Sequence, residues 1–133
     1  DLDAVDRASL LHDLMKIKCL GRDHMHGPEA GKIISLLGYP EIAGIVAKHG
    51  LEDVLEFGPK TSIEIKIGWY ADKRVNHDKI VSLRERYAYL KERYGSRSKE
   101  KMKEILSTEK PAFGVEKELL KMAKTREDLE GLK

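Results

Sequence analysis

The chain has a single cysteine, Cys19, among 133 residues, so no internal disulfide can form and nothing argues for a secreted, cross-linked scaffold. A reducing, cytoplasmic compartment is the expected location. There are only four prolines, which argues against fibrous and Pro-rich disordered classes. No apolar run approaches the roughly 18 residues that a membrane span needs, and no signal peptide is visible at the start. The first residue is Asp1 rather than Met, so the expectation is a chain that is processed, trimmed or only part of a longer sequence. An excess of charge is also lacking. The formal net charge of +2 is too small to make nucleic acid or an anionic membrane the main partner.

What is present is a soluble globular composition, 41% hydrophobic and 36% charged, long enough for one domain with a real core. The charge is unevenly spread. Asp1 to Asp78 holds ten Lys and Arg against thirteen Asp and Glu, whereas Lys79 to Lys133 holds fifteen against ten. All five histidines, His12, His24, His26, His49 and His77, fall in the acidic part. A segment rich in imidazole and carboxylate is where a divalent cation would go, and the basic segment reads as solvated helix surface.

Apolar spacing predicts a series of helices. The first covers Leu2 to Cys19, with Val5, Ala8, Leu11 or His12, and Met15 on one face, and ends near Gly21. The second follows Gly27-Pro28, carries Ala30, Ile33, Ile34 and Leu37, and stops at Gly38; the third runs from Pro40 to Gly50, with His49 in its last turn in phase with Ile42, Ile45 and Val46. A short piece spans Leu51 to Phe57. The stretch Ser62 to Ile67 alternates like a strand, but no convincing partner strand exists and Ile65, Trp69 and Asp72 share helical spacing, so Thr61 to Val75 is read as helix. Asn76 or Asp78 would cap a helix over Lys79 to Tyr94 with a stripe of Ile80, Leu83, Tyr87 and Leu90. Two further helices, Ser98 to Leu106 and Val115 to Leu132, complete an all-α reading. Tyr87, Tyr89 and Tyr94 are read as packing these helices rather than stacking bases.

Candidate chemistry begins with His12-Asp13. Consecutive side chains on a helix diverge by about 100°, so the two reach one cation only from the edge of a face. Lys16 lies four residues after His12 and three after Asp13, on the same side, where it could hold a phosphate oxygen. The alternative is a helix-end His beside an ordinary salt bridge. His49 reads either as a half-buried His favoured by a helix C-terminus or as an inward ligand. His24 and His26 lie in a polar loop of the kind that is commonly just solvated. Asp72 shares the face of Ile65 and Trp69 and needs either a basic partner or a cation.

Taken together, Leu10-Leu11-His12-Asp13-Leu14-Met15-Lys16, His26-Gly27-Pro28-Glu29-Ala30, Ile42 to His49 and Ala71-Asp72-Lys73-Arg74 resemble the HD-domain superfamily of metal-dependent phosphohydrolases. The resemblance spans 10–94, followed by C-terminal helices over 96–133, and implies one all-α helical bundle across 1–133. It implies that His12, Asp13 and Asp72 bind the principal metal, that Asp13 also bridges to a second ion, and that His26 and His49 bind that second ion. Lys16 would face phosphate. His24 matches no ligand, and His77 is assigned to the surface. The family pattern opens with another His some tens of residues before the doublet, whereas eleven residues precede His12. Either a preceding helix lies outside this sequence or the metal sphere is incomplete. Leu14-Met15 replaces the Ile-Gly of many members, a change of packing more than of coordination. Gly38-Tyr39-Pro40 lacks the His-His-Glu context of the cyclic-di-GMP-hydrolysing subgroup and is read as a helix boundary.

The activity so implied is hydrolysis of a phosphomonoester or phosphodiester, on a nucleotide or small molecule, by metal-activated water. One or two ions per chain would orient the ester and activate the water, with Asp13 taking its proton and Lys16 steadying the phosphoryl oxygens. Mn, Fe, Ni, Co or Zn suits such ligands, and Mg stays open. The competing reading is a catalytically inactive regulatory or scaffolding module of the same fold. A homo-oligomer is left open.

Overall fold

The side chain of Asp1 accepts the Ala4 backbone N–H and starts helix α1 (Leu2–Leu11). The computed structural model describes residues 1–124. Among these residues five further α-helices follow: α2 (His26–Leu36), α3 (Pro40–Ala47), α4 (Ile63–Lys73), α5 (Leu83–Arg93) and α6 (Lys99–Ala123). The fold is all-α. Its strands are β1 (Val75–Asn76) and β2 (Lys79–Ile80), paired antiparallel with Val75 opposite Ile80. Among the described residues, no helix is long and apolar enough to cross a membrane.

The chain divides into two compact units, Asp1–Asp72 and a second that begins at Lys73. In the first, α2 and α1 both pack on α3. Ala4, Val5 and Ala8 of α1, Ala30 and Ile34 of α2, and Ile42, Ala43, Ile45 and Val46 of α3 form one core. Met15, Ile65 and Ile67 are laid against it. Small side chains on facing helices let the backbones approach closely, and apolar burial supplies the driving force.

In the second unit α5 packs on α6. Leu83, Tyr87 and Leu90 are buried, as are Ile105, Thr108, Ala112, Val115 and Leu119. The Tyr87 hydroxyl donates to Thr108 Oγ1 at 3.0 Å, and burial pushes its pKa up to about 12. Arg74 and Glu116 form a buried ion pair at 3.4 Å.

Several boundaries differ from the spacing-based expectation. Helix α1 stops at Leu11 rather than Cys19, because His12 Nδ1 donates to the Ser9 carbonyl at 2.6 Å. That carbonyl is the acceptor Asp13 would have used to continue the helix. Residues 12–21 continue as a series of turns. In the second helix Ala30 and Ile34 are buried, but Leu37 is largely exposed and Ile33 only half-covered. Helix α3 ends at Ala47, so His49 lies two residues past it rather than in its last turn.

Asn76 and Asp78 cap nothing in α5. They sit in or beside the hairpin, and Ile80 is strand and exposed. The cap is Ser82, in a reciprocal capping box with Glu85. The two expected C-terminal helices are one. Ile105, Thr108, Ala112, Val115 and Leu119 follow helical spacing straight through Pro111, and their burial outweighs the roughly 3 kcal/mol an interior proline costs. The expected extension to Leu132 lies, beyond Lys124, outside the described residues.

Candidate metal centre

The loss of regular helix after Leu11 decides how the doublet is presented. His12 is the cap residue of α1 and Asp13 follows in the first turn beyond it. His12 Nε2 lies 3.7 Å from Asp13 Oδ2 and 3.6 Å from Asp72 Oδ1. Asp72 comes from the last turn of α4, one residue before its end.

On the other side of Asp13 stand two more imidazoles. Asp13 Oδ1 lies 3.5 Å from His26 Nε2 and 3.9 Å from His49 Nε2, and those two nitrogens are 2.7 Å apart. The ring of His49 meets the rings of His12 and His26 edge-on, with centroids at 5.0 and 4.7 Å. Asp13, His26 and His49 could together hold a metal ion. The two oxygens of Asp13 therefore face two groups, His12 and Asp72 on one side, His26 and His49 on the other.

Backbone carbonyls set which ring nitrogens carry protons. His12 Nδ1 faces Ser9 O and His49 Nδ1 faces Val46 O, each at 2.6 Å. A carbonyl can only accept, so both Nδ1 atoms are protonated. The Nε2 atom of His12 then faces the Asp13 and Asp72 carboxylates, and that of His49 faces His26 Nε2 and Asp13. This is the orientation of metal-ligating histidines, whose other nitrogen donates to a carbonyl. The donor set is imidazole nitrogen and carboxylate oxygen.

Lys16 completes the cluster, donating to Asp13 Oδ2 at 2.6 Å. Burial pushes the Asp13 carboxyl up, but the Lys16 hydrogen bond and the positive field of His12, Lys16 and His26 outweigh it, leaving the pKa below its ordinary value. Asp13 is the anion the arrangement requires. His24 lies exposed in the short 3₁₀ turn before α2, and His77 lies exposed in the β1–β2 loop. Neither approaches the cluster in any contact seen.

Gly27 carries a role that spacing did not indicate. A Cβ at this position would come within 3.2 Å of His49 Cε1, His49 Nδ1 and the Val46 carbonyl. The His49 ring thus lies directly on the backbone of α2, one residue after His26. Only the helix-start signal of Gly27-Pro28 was readable in the chain.

What is established is an all-α chain whose first unit gathers three imidazoles, two carboxylates and a lysine. No protein-family model, no curated protein and no solved structure matches it.

Proposed function

We propose that this chain is a metal-dependent phosphohydrolase that cleaves a phosphate ester of a nucleotide or small molecule, a monoester or a diester, with water as the nucleophile. The observation that carries this reading is the convergence of His12, His26 and His49 Nε2 with the carboxylates of Asp13 and Asp72, two of the rings held by backbone carbonyls with their lone pairs turned inward.

His12, Asp13 and Asp72 would hold one cation, and His26 and His49 with the second oxygen of Asp13 another. Mn, Fe, Ni, Co and Zn match this mixture of nitrogen and oxygen donors, and Mg fits its oxygen-richer side. When bound, the ion supplies Lewis acidity that activates water and offsets charge on the phosphoryl oxygens. Asp13, ionised, accepts the proton that water loses. Lys16, 61% exposed in its side chain, reaches outward to bind a phosphoryl oxygen while staying within reach of Asp13. Single, buried Cys19 accords with a reducing, cytoplasmic setting.

The test uses purified protein stripped with chelator and reloaded with Mn, Fe, Ni, Co, Zn or Mg one at a time. Bound metal is counted, and turnover is assayed on nucleoside monophosphates, cyclic nucleotides and simple phosphomonoesters. Binding of one or two ions with hydrolysis of at least one ester is the expected result. Stoichiometric metal without turnover on any ester favours the non-catalytic module of the same fold. Failure to bind any of the metals overturns the reading.

A further inference from the structure

We infer that Trp69 and Asp53 are positioning residues for His49, and that Trp69 ties the two sides of the cluster together. The inference rests on the metal-centre reading and goes beyond it, because neither residue offers an atom to the cluster.

His49 lies two residues past the end of α3, beyond the Lys48 N–H bond to the Ile45 carbonyl that closes the helix. Its neighbours are nonetheless held on both sides. Asp53 Oδ2 accepts the Gly50 N–H at 2.8 Å, and Asp53 Oδ1 pairs with Lys48 Nζ at 3.6 Å. One carboxylate thus spans the residues before and after His49. The Gly50 carbonyl accepts from Trp69 Nε1 at 2.7 Å. Trp69 is fully buried, and Phe57 meets its indole edge-on at 5.9 Å, so this donor is fixed in place. A Cβ on residue 50 would come within 2.9 Å of Asp53 Oδ2, which explains a glycine at the clamped peptide.

Trp69 also belongs to α4, three residues before Asp72, and side chains at that spacing share a helix face. One helix therefore presents the carboxylate facing His12 and the indole that fixes the loop of His49. The separation between the two groups around Asp13 is set through this helix. Groups hydrogen-bonded to a metal ligand orient it, and their loss typically weakens metal binding ten- to a hundredfold; Trp69 and Asp53 act on His49 through the adjoining Gly50 peptide.

The experiment compares full-length wild type, Trp69→Phe, Asp53→Ala and Asp53→Asn. Trp69→Phe keeps an aromatic ring but removes the N–H. Asp53→Asn keeps an oxygen that can accept from Gly50, and Asp53→Ala does not. Cobalt(II) affinity and visible spectrum are measured alongside circular dichroism, and the His49 ring N–H is followed by NMR in the metal-free protein. Expected are a ten- to hundredfold weaker affinity and an altered cobalt spectrum in Trp69→Phe and Asp53→Ala, near-wild-type behaviour in Asp53→Asn, and a shifted, faster-exchanging His49 Nδ1–H in the first two variants. If wild type binds no cobalt, the metal-centre reading fails, while the His49 signal still decides the positioning role. An unmoved His49 signal in a folded Asp53→Ala, or equal affinities throughout, overturns the inference. Should Trp69→Phe fail to fold, the Asp53 pair decides.

Discussion

His26 and His49 stand 23 positions apart in the chain and bring their Nε2 atoms to 2.7 Å. Because Val46 fixes the proton of His49 on Nδ1, the shared nitrogen of His49 is a lone pair. It needs either the His26 proton or a cation between the rings. The consequences can be measured.

Replacing Asp13 by Ala removes the carboxylate whose two oxygens lie near His12 on one side and His26 and His49 on the other. Metal occupancy and turnover are both expected to vanish, with far-ultraviolet circular dichroism nearly unchanged because Asp13 lies in a turn rather than in the core. Preserved turnover would remove Asp13 from the mechanism.

Gly27→Ala puts a methyl 3.2 Å from the His49 ring. The ring must tilt or α2 must move away, so metal affinity is expected to fall about tenfold. Stability should drop by about 1–2 kcal/mol, the usual cost of overpacking. Isothermal titration and thermal melting check the two effects separately.

Tyr87 makes stability depend on alkaline pH. Its ordinary pKa of 10.0 is raised to about 12 in the folded state, chiefly by burial. The unfolded chain therefore loses this proton first, and stability falls as pH rises from 10 to 12 while being fully present below 10. Tyr87→Phe should flatten that decline. The variant loses the hydroxyl contact to Thr108, at about 1 kcal/mol near neutral pH. Denaturant melts across the range are the measurement; an unchanged slope in the variant would assign the decline to other groups.

Pro111→Ala returns a backbone donor to the middle of α6 and removes the ring's clash with the preceding turn. A gain of about 2 kcal/mol is expected after allowing for the freer unfolded chain. A loss of stability would show that the proline is accommodated without strain.

The all-α class was legible because the buried positions of α3, α5 and α6 repeat at helical spacing, a property of short stretches. Ser82 and Glu85 carried a capping-box signal, three residues apart, that outranks Asn76 and Asp78 once the hairpin is known. The break expected between Leu106 and Val115 does not occur, since the buried stripe from Ile105 to Leu119 runs straight through Pro111. The family resemblance singled out five candidate ligands, of which Asp13, His26 and His49 lie within reach of a common ion, while His12 stands between Asp13 and Asp72. His12 and His49, however, lie just past the ends of their helices rather than within them, because side-chain bonds to Ser9 and Val46 carbonyls compete with the helical ladder in a way that periodicity does not record.

The order of amino acids by itself determined the helical class and supplied imidazoles and carboxylates, since propensity, period and side-chain chemistry are local. Tertiary structure alone decided that Asp13 turns one oxygen to His12 and Asp72's side and the other to His26 and His49. It also decided that Gly27 and Trp69 bear on His49. Those relationships are distances between segments remote in sequence, set by how closely α2, α3 and α4 pack.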